Sequence, residues 1–379
     1  MNKIIINGKE IDYDKKYIAP ARINLIGEHI DYNGGNVFPA CINIYLSAYV
    51  KKRIDNKIIL ESQGYKTKIE TTLDNLDYND SFAWGLYPIG VYYIIKKLGY
   101  KIKTGIEIYY ESKIPSGSGL SSSAAILVIT AFLISDIYKL NISALDIIKI
   151  TKMVENDYCN LKSGIMDQSI IALGKRNQAL LLNCNNFEYE YKNIKLGDYI
   201  VVVLKTNKPR KLTESKYNER VNECNQALTI LKMIYKIDNL CDLKISDLDN
   251  VKNILNDDLL FRRVRHVVTE NNRVSLFSKY LESGKIEELA KLLNESHESL
   301  KKDYEVTGIH LDSIVDAAMA SGAIGARMTG AGFGGCAIAL VNRKKLDEFS
   351  KNVIKKYKEK INLVADVIPV MFVDGVKSA

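Results

Sequence analysis

Residues 115–125 read PSGSGLSSSAA, and this stretch stands between a predicted strand and a predicted helix. Residues 104–110 alternate as in a strand, and residues 120–138 form an apolar run of helical character. Glycine lets a backbone approach a bulky anion with positive φ, and the start of the helix offers unpaired N–H groups. The stretch therefore predicts an anion site at a helix N-terminus, where serine hydroxyls add hydrogen bonds or a magnesium ligand.

Two commoner phosphate-binding patterns do not fit this stretch. It lacks the lysine of GxxxxGK[ST], so it is not a Walker loop. It is also not a GxGxxG turn after a first strand, which makes a Rossmann interpretation weak. A serine and glycine cap on a buried helix is the structural alternative. The serine triplet followed by small residues favours the anion site.

A second segment, residues 20–35, reads PARINLIGEHIDYNGG and crowds a cation, two carboxylates, an imidazole and a phenol together. Such crowding suits recognition of a small ligand rich in hydroxyls. Farther along, residues 163–168 read SGIMDQ, and Arg22 is the best candidate cation for the partly desolvated Asp167. An aspartate paired with arginine can orient and deprotonate a hydroxyl nucleophile. The alternative is that Asp167 is an ordinary helix cap.

A third segment, residues 327–336, reads RMTGAGFGGC and joins two apolar runs. Its four glycines within six residues exceed what a hairpin turn requires. The functional interpretation is a loop that closes over a nucleotide or supports residues 115–125. The alternative is a long flexible hairpin.

The length of 379 residues suggests about two domains, which we place at 1–190 and 191–379, just before a strand at 199–205. Mixed strands and helices without a strict βαβ rhythm predict an α+β fold in two lobes. Further predicted helices are 82–98, 143–159, 214–235, 259–281, 286–301 and one ending near 360; further predicted strands are 42–51, a strand–turn–strand at 323–341 and 367–373.

Composition limits the function classes. Lys and Arg number 53 against 45 Asp and Glu, but this net charge of +8 is spread thinly, so no nucleic-acid partner is expected. A mild positive field favours a polyanionic substrate such as ATP. No segment approaches the ~18 apolar residues of a membrane span, and no signal-peptide core is visible.

Six widely spaced cysteines without a CxxC pair indicate reduced thiols and a cytoplasmic location. The four histidines form no metal-binding pair, so a histidine-ligated transition metal is not expected.

These motifs, in this order, resemble those of the galactokinases, which belong to the galacto-, homoserine, mevalonate and phosphomevalonate (GHMP) kinase superfamily. Residues 22–35 are similar to the galactokinase sugar signature, 115–125 to the phosphate loop, 164–168 to the catalytic segment and 328–336 to the third motif. Further stretches that fit are 206–211, 215–220, 265–271 and 296–300. Two departures are Ala21, where glycine is usual, and Ser163, where cysteine is common.

The resemblance implies a two-lobed GHMP-kinase fold, with a ribosomal-protein-S5-like N-terminal domain, a ferredoxin-like C-terminal domain and the active site in the cleft between them. It implies ATP-dependent phosphorylation of the C1 hydroxyl of galactose, with Mg²⁺, by a monomer or weak homodimer. Two alternatives remain open. One is a kinase for a related sugar such as N-acetylgalactosamine, arabinose or galacturonate, and the other is a non-catalytic sugar sensor.

The resemblance also implies residue roles. Asp167 would be the base and Arg22 would lie beside it and stabilise charge on the transferring phosphoryl. Ser123, or Ser122 in its place, would hold magnesium with Glu155. The expected sugar ligands are Glu28, His29, Asp31, Gly164, Asp167 and Tyr217. The expected ATP-binding residues are Trp84 and Tyr87 near adenine, with Gly117, Ser118, Gly119, Leu120, Ser121, Ser122 and Ser123 around the phosphates.

Overall fold

The structure, a computed structural model, describes residues 2–6, 8–115, 117–161, 163–208 and 213–379, with only the backbone at 213 and 214. The strands are β1 (Asn2–Ile6), β2 (Lys9–Tyr13), β3 (Lys15–Asn24), β4 (Asn36–Val37), β5 (Pro39–Lys52), β6 (Lys57–Ser62), β7 (Ile69–Thr72), β8 (Ile106–Ser112), β9 (Gln178–Asn183), β10 (Tyr189–Asn193), β11 (Tyr199–Lys205), β12 (Gly325–Thr329), β13 (Cys336–Asn342), β14 (Asp366–Pro369) and β15 (Lys377–Ser378). The α-helices are α1 (Leu86–Lys97), α2 (Ser122–Tyr138), α3 (Ala144–Met153), α4 (Met166–Leu173), α5 (Thr213–Leu231), α6 (Leu248–Leu255), α7 (Asp258–Glu282), α8 (Ile286–Lys302), α9 (Gly308–Met319) and α10 (Leu346–Ile361).

The N-terminal lobe is built on a six-stranded sheet of order β15-β3-β5-β8-β6-β7. β6 and β8 run parallel, and the other neighbouring pairs are antiparallel. Helices α2 and α4 pack against β3 and β5. Helix α2 carries buried residues on almost every side, as expected for a helix enclosed between a sheet and other helices.

An irregularity in β3 positions the sugar-signature segment. The pairing of β3 with β5 shifts register between Pro20 and Ala21. Proline donates no ladder hydrogen bond, and a bulge re-aims the residues that follow it. Arg22, directly after the shift, is 4% exposed, and Ala21 is fully buried.

The C-terminal lobe contains a four-stranded antiparallel sheet of order β12-β13-β11-β14. Helices α5 to α9 lie between β11 and β12 in the chain, and α10 lies between β13 and β14. This β-α-β-β-α-β arrangement is ferredoxin-like, with the first connection enlarged by several helices. The predicted α+β architecture in two lobes is thereby confirmed.

Helix α7, one of the helices between β11 and β12, is hydrogen-bonded to the sugar-signature segment and to β4. The Gly27 N–H donates to Glu270 Oε1 at 2.9 Å, and the Asn36 N–H donates to Asn271 Oδ1 at 3.0 Å. Gly27 has φ +99°, and a Cβ there would lie 2.9 Å from the Asn36 carbonyl oxygen, so the turn requires glycine. The long helix thereby fixes a loop that comes some 240 positions earlier in the chain.

Two predicted helices differ from the structure at one end each. The prediction for 82–98 begins inside a 3₁₀ segment, Asp80–Gly85, which is kinked at Ala83 (φ 46°) and directly precedes α1. The prediction for 143–159 includes a π-helical turn, Val154–Tyr158, after α3 ends. Wider turns of this kind re-aim side chains, and this one carries Glu155.

The last residues of the chain return to the first lobe. Residue 190 lies within β10, which pairs with β9, and β15 pairs with β3 at the edge of the six-stranded sheet. The division into 1–190 and 191–379 stays a prediction. Within the described parts of the chain, no helix has both the length and the apolar character needed to cross a bilayer.

Candidate active site

A cavity of about 210 Å³ opens where the two lobes meet. It is lined by residues from the sugar-signature segment, the start of α2, the turn around Glu155, and the start of α4 with the segment before it. The other lobe contributes α5 and the 327–336 loop. The predicted residues that line it are Arg22, Glu28, His29, Asp31, Ser123, Glu155, Gly164, Asp167 and Tyr217.

Arg22 and Asp167 form a two-pronged ion pair at this cavity. Arg22 Nε donates to Asp167 Oδ1 at 2.8 Å, and Nη2 donates to Oδ2 at 3.0 Å. The Arg22 side chain is 5% exposed and the Asp167 side chain 28%, so the carboxylate faces the open side. A bidentate arginine fixes the plane of the carboxylate as well as its position.

The phosphate loop meets this pair directly. Arg22 Nη1 donates to the Gly119 carbonyl at 2.6 Å, and the Ser121 hydroxyl donates to Asp167 Oδ2. Gly117, Gly119 and Ser121 all have positive φ, which curls the backbone before α2 begins at Ser122. The curled loop places the N-terminus of α2 beside the ion pair.

The serines of the loop differ in exposure. Ser118 and the neighbouring Leu120 are buried, and the Leu120 N–H donates to Ser118 Oγ at 3.4 Å. Ser122 is exposed, whereas Ser123 lines the cavity together with Glu155. Ser116 lies outside the described residues, as do residues 209–211 of the 206–211 stretch.

Glu155 is 6% exposed and accepts hydrogen bonds at Oε2 from Ser163 Oγ at 2.5 Å and from Gln168 Nε2. Burial raises the pKa of Glu155 to about 7, with a further contribution from the charge of Asp167. Both of these hydrogen-bond partners are neutral side chains. Glu155 is therefore a buried acid that a cation would ionise.

Glu28 joins the sugar-signature segment to the 327–336 loop. Its Oε1 accepts from Thr329 Oγ1 at 3.0 Å and from the Gly330 N–H at 2.8 Å. The fully buried Arg327 guanidinium lies 3.0 Å from the same oxygen. Because charged acceptors make the stronger hydrogen bonds, these contacts of the Glu28 carboxylate hold the two lobes together at this point.

The 327–336 loop also packs against the phosphate loop. Gly330 has φ +86°, and a Cβ there would lie 2.8 Å from the Gly119 carbonyl oxygen. Its neighbour Ala331 places its carbonyl 3.2 Å from His29 Nε2. The described geometry thus matches the predicted supporting role of this loop.

Asp31 and Gly164 are packed against each other in the cavity wall. A Cβ at Gly164 would lie 1.7 Å from Asp31 Oδ2, so only glycine leaves room for the carboxylate. Burial raises the pKa of Asp31 to about 7, and the charges of Asp167 and Glu28 add to this. Tyr217 completes this side, with its ring 5.7 Å from that of His29.

The sequence of this chain matches known protein families over the segments that form this site. Residues 9–52 match the galactokinase galactose-binding signature, 87–175 the GHMP kinases N terminal domain and 277–359 the GHMP kinases C terminal domain. Galactokinase from Enterococcus faecalis is 44% identical over 364 residues, covering 95% of this chain and 94% of the relative. Galactokinase from Clostridium tetani is 45% identical over 345 residues, covering 90% and 88%.

The chain belongs to the galactokinase family. A crystal structure of Lactococcus lactis galactokinase complexed with galactose is similar to it, with a TM-score of 0.93, 40% identity and coverage of 96% and 94%. A mevalonate kinase structure at 24% identity, with a TM-score of 0.66, shares the fold. The family assignment makes the chain an enzyme, an ATP-dependent kinase, and confirms the GHMP-kinase fold predicted from the sequence.

The resemblance to galactokinases predicts that Trp84 and Tyr87 lie near adenine. Neither residue lines the cavity described above. Trp84 lies in the 3₁₀ turn before α1, with its ring 5.5 Å from Tyr65 and 5.9 Å from Tyr110. Its Nε1 is buried without a hydrogen-bond partner among the described residues. Tyr87 packs against the core of the N-terminal lobe.

In this member of the galactokinase family, sequence reasoning missed Gln168, which lines the cavity. It also missed Arg327, Tyr32 and Tyr304, which support the cavity residues Glu28 and His29. Gln168 stands beside Asp167 in the quoted SGIMDQ segment, and its position alone could have signalled a role. Arg327 gave no such signal, because an arginine at the start of a glycine-rich loop usually faces solvent. Tyr32 and Tyr304 are separated by 272 positions, and only the fold shows that their hydroxyls meet.

Proposed function

We propose that the chain transfers the terminal phosphoryl group of ATP to the C1 hydroxyl of galactose and forms galactose 1-phosphate. The observation that carries this proposal is the Arg22–Asp167 ion pair between the sugar-signature segment and the N-terminus of α2. In such a pair the carboxylate can orient a hydroxyl nucleophile, and the guanidinium can stabilise charge on a phosphoryl group.

Asp167 acts as the base in this proposal. Its carboxylate accepts from Arg22 at both oxygens and from Ser121 at Oδ2, which fixes it without enclosing it. Phosphoryl transfer passes through a loose transition state, so the nucleophile needs orientation more than early deprotonation. Asp167 orients the C1 hydroxyl towards the phosphoryl group and receives its proton as the new O–P bond forms.

Positive charge beside the phosphoryl group comes from two sources in the protein. The N-terminus of α2 presents unpaired N–H groups and a partial positive charge. The Arg22 guanidinium, held by Asp167 and the Gly119 carbonyl, lies at the same place. Both are fixed before substrate binds, so the charge that develops in the transition state meets groups already oriented.

Sugar recognition is assigned to Glu28, Asp31, Gly164, Asp167 and Tyr217, with His29 beside them. Carboxylates bind hydroxyls strongly, and an epimer that inverts one hydroxyl would leave a buried acceptor without its partner. The cavity of about 210 Å³ suits a monosaccharide rather than a larger glycan. A substituent on the sugar ring would compete with these side chains for the same space.

Glu155 and Ser123 would hold Mg²⁺ in this proposal. Both offer oxygen ligands at one cavity, and burial of Glu155 leaves a carboxyl that a cation would ionise. Among the described residues no group of three or more His, Cys, Asp or Glu side chains could hold a metal. Phosphate oxygens and water would therefore complete the coordination. When bound, the ion neutralises negative charge on the ATP phosphates.

Adenine binding is assigned to the surface beside Trp84 and Tyr87. The partly buried indole beside Tyr65 offers an aromatic face, and its Nε1 is a donor without a partner in the described structure. Aromatic faces stack on nucleobases with energies of about 1–3 kcal/mol per base.

We also propose a cytoplasmic location. Its support is that Cys41, Cys159, Cys184, Cys224 and Cys241 form no disulfide within the described residues, and the thiols of Cys41 and Cys224 are buried. Free thiols of this kind persist in a reducing compartment.

The proposal is tested by measuring ADP release across a panel of sugars with MgATP. We expect turnover with galactose and galactose 1-phosphate as the product. Turnover confined to N-acetylgalactosamine, arabinose or galacturonate would assign a different sugar. Galactose binding by calorimetry without any ADP release would assign a sensor.

A further inference from the structure

A line of hydrogen bonds runs from the core of the C-terminal lobe to the cavity. Cys224 Sγ lies 3.1 Å from Tyr304 Oη, which lies 2.8 Å from Tyr32 Oη. Tyr32 Oη lies 2.8 Å from His29 Nδ1, and His29 Nε2 lies 3.2 Å from the Ala331 carbonyl oxygen. These five residues, which we term the hydroxyl relay, connect α5, the turn after α8, the sugar-signature segment and the 327–336 loop.

The direction of the relay follows from its last member. A carbonyl oxygen can only accept, so His29 Nε2 must carry the hydrogen that it donates to Ala331. Burial keeps the ring neutral and lowers the pKa of His29 to about 3, so Nδ1 carries no hydrogen. Tyr32 must then donate to Nδ1 and accept from Tyr304, which in turn accepts from the Cys224 thiol.

The relay leaves His29 little capacity for a sugar hydroxyl. Each ring nitrogen already has a protein partner, and a neutral imidazole offers one donor and one acceptor. The ring is also held on its faces by Tyr217 and Tyr304, whose centroids lie 5.7 and 4.9 Å away. His29 has φ 62°, a strained conformation that the surrounding contacts maintain.

We propose that His29 is a positioning residue, held as its Nε2–H tautomer by the hydroxyl relay, and that it positions the 327–336 loop by donating to Ala331. The adjacent Gly330 packs on the Gly119 carbonyl of the phosphate loop. The same Gly119 carbonyl accepts from Arg22. The tautomer of His29 thereby affects the position of the 327–336 loop, which contacts the phosphate loop as well as the sugar-signature segment.

The tautomer can be measured without any substrate. The chain has four histidines, so ¹⁵N spectra of imidazole-labelled protein are simple to assign with single His→Gln variants. We expect His29 in the unliganded wild type to show a protonated Nε2 and an unprotonated Nδ1 between pH 6 and 8. This readout does not depend on the proposed function, so its failure would overturn the relay while leaving the kinase assignment intact.

The direction of the relay predicts unequal effects of two similar changes. Tyr32→Phe removes the donor to Nδ1, so the tautomers of His29 should mix. Tyr304→Phe removes the donor to Tyr32 and the acceptor of the Cys224 thiol, but it leaves the Tyr32 hydroxyl that donates to Nδ1. The tautomer should therefore persist, even though Tyr304 is the more deeply buried of the two tyrosines. Cys224→Ala, one step farther away, should also leave it in place.

Kinetics then separate positioning from sugar binding, on the basis of the proposed function. With Tyr32→Phe we expect the KM for ATP to rise roughly threefold to tenfold, the range for one lost hydrogen bond, and kcat to fall. Tyr304→Phe should change both by about twofold at most. His29→Gln, which can still donate to Ala331, should keep the KM for ATP nearer to wild type than His29→Leu does.

Three results would overturn the proposal. One is an Nδ1–H or doubly protonated ring in the unliganded protein at pH 7. The second is an equal loss of tautomer in Tyr32→Phe and Tyr304→Phe. The third is a rise in the KM for galactose alone in both His29→Gln and His29→Leu, with the KM for ATP unchanged, which would make His29 a direct sugar ligand. Thermal unfolding of each variant shows that the compared proteins are folded.

Discussion

Arg22 and Asp167, 145 positions apart in the chain, form a two-pronged ion pair with N–O distances of 2.8 and 3.0 Å. Arg22 follows the register shift in β3, and Asp167 is the second residue of α4, which packs against that strand. The packing of α4 on β3 brings the two side chains together, and the phosphate loop contacts both of them. The ion pair lies where the sugar-signature segment, the phosphate loop and the catalytic segment meet. Substitutions here therefore distinguish effects on substrate affinity from effects on kcat.

Asp167→Asn should lower kcat by at least about 100-fold, because the positioned base is lost. Galactose affinity should be mostly retained, since the amide oxygen can still accept one hydrogen bond from Arg22. Coupled ADP release gives kcat, and calorimetry gives the sugar affinity. Asp249→Asn, at an exposed position on α6, is the matched control and should leave both values unchanged. Near-normal turnover in Asp167→Asn would show that Asp167 only positions the sugar.

Glu28→Ala should raise the KM for both substrates. The sequence alone predicts an effect on the sugar far larger than on ATP. In the structure, however, Glu28 Oε1 also holds Thr329 and Gly330, and Gly330 packs on the phosphate loop. Losing a charged acceptor of buried donors costs about 1–3 kcal/mol, so the KM for ATP should rise several-fold beside the larger rise for galactose. Steady-state kinetics with each substrate varied in turn provides the check, and an unchanged KM for ATP would contradict the role of Glu28 between the lobes.

Gly164→Ala should impair galactose binding with little loss of stability. The new Cβ would lie 1.7 Å from Asp31 Oδ2 and would displace that carboxylate, whereas Gly164 itself has no positive φ that alanine would strain. We expect the KM for galactose to rise at least about tenfold, as for a lost hydrogen bond to a charged group. Gly64→Ala is the control, because it has φ +84° in open space and should cost about 1 kcal/mol of stability without changing the sugar KM. A Gly164→Ala enzyme with normal galactose KM would exclude Asp31 as a sugar ligand.

The stability of the unliganded protein should fall as pH rises through about 7, because of Asp31. Burial raises the pKa of its carboxyl to about 7, so the folded state holds this proton more tightly than the unfolded chain does. The contribution is complete at pH values below about 4 and is lost as pH rises towards 8. Asp31→Asn removes this titration.

Urea unfolding at pH 5 and pH 8 compares the two proteins. The wild type should lose about 1–3 kcal/mol more unfolding free energy between these pH values than Asp31→Asn, since each pKa unit is worth about 1.4 kcal/mol. Identical pH dependence in the two proteins would mean that Asp31 is ionised in the folded state across this range.

The sequence by itself determined the motifs, their order and much of the secondary structure. Glycine spacing at 115–125 predicted a curled loop before a helix, and the structure has positive φ at Gly117 and Gly119 directly before α2. Apolar periodicity predicted the long helices α7 and α8 to within a residue at each end. These features are local, because backbone sterics and side-chain period act over a few residues.

Only the tertiary structure decided which side chains meet. The sequence could name Glu28, but not Arg327 and Thr329 as its partners some 300 positions later. It could name His29 as a polar residue in a crowded segment, but not the two tyrosines and the carbonyl that fix its tautomer. Hydrogen bonds and burial depend on distances between segments, and those distances follow from the packing of the two lobes rather than from any local pattern.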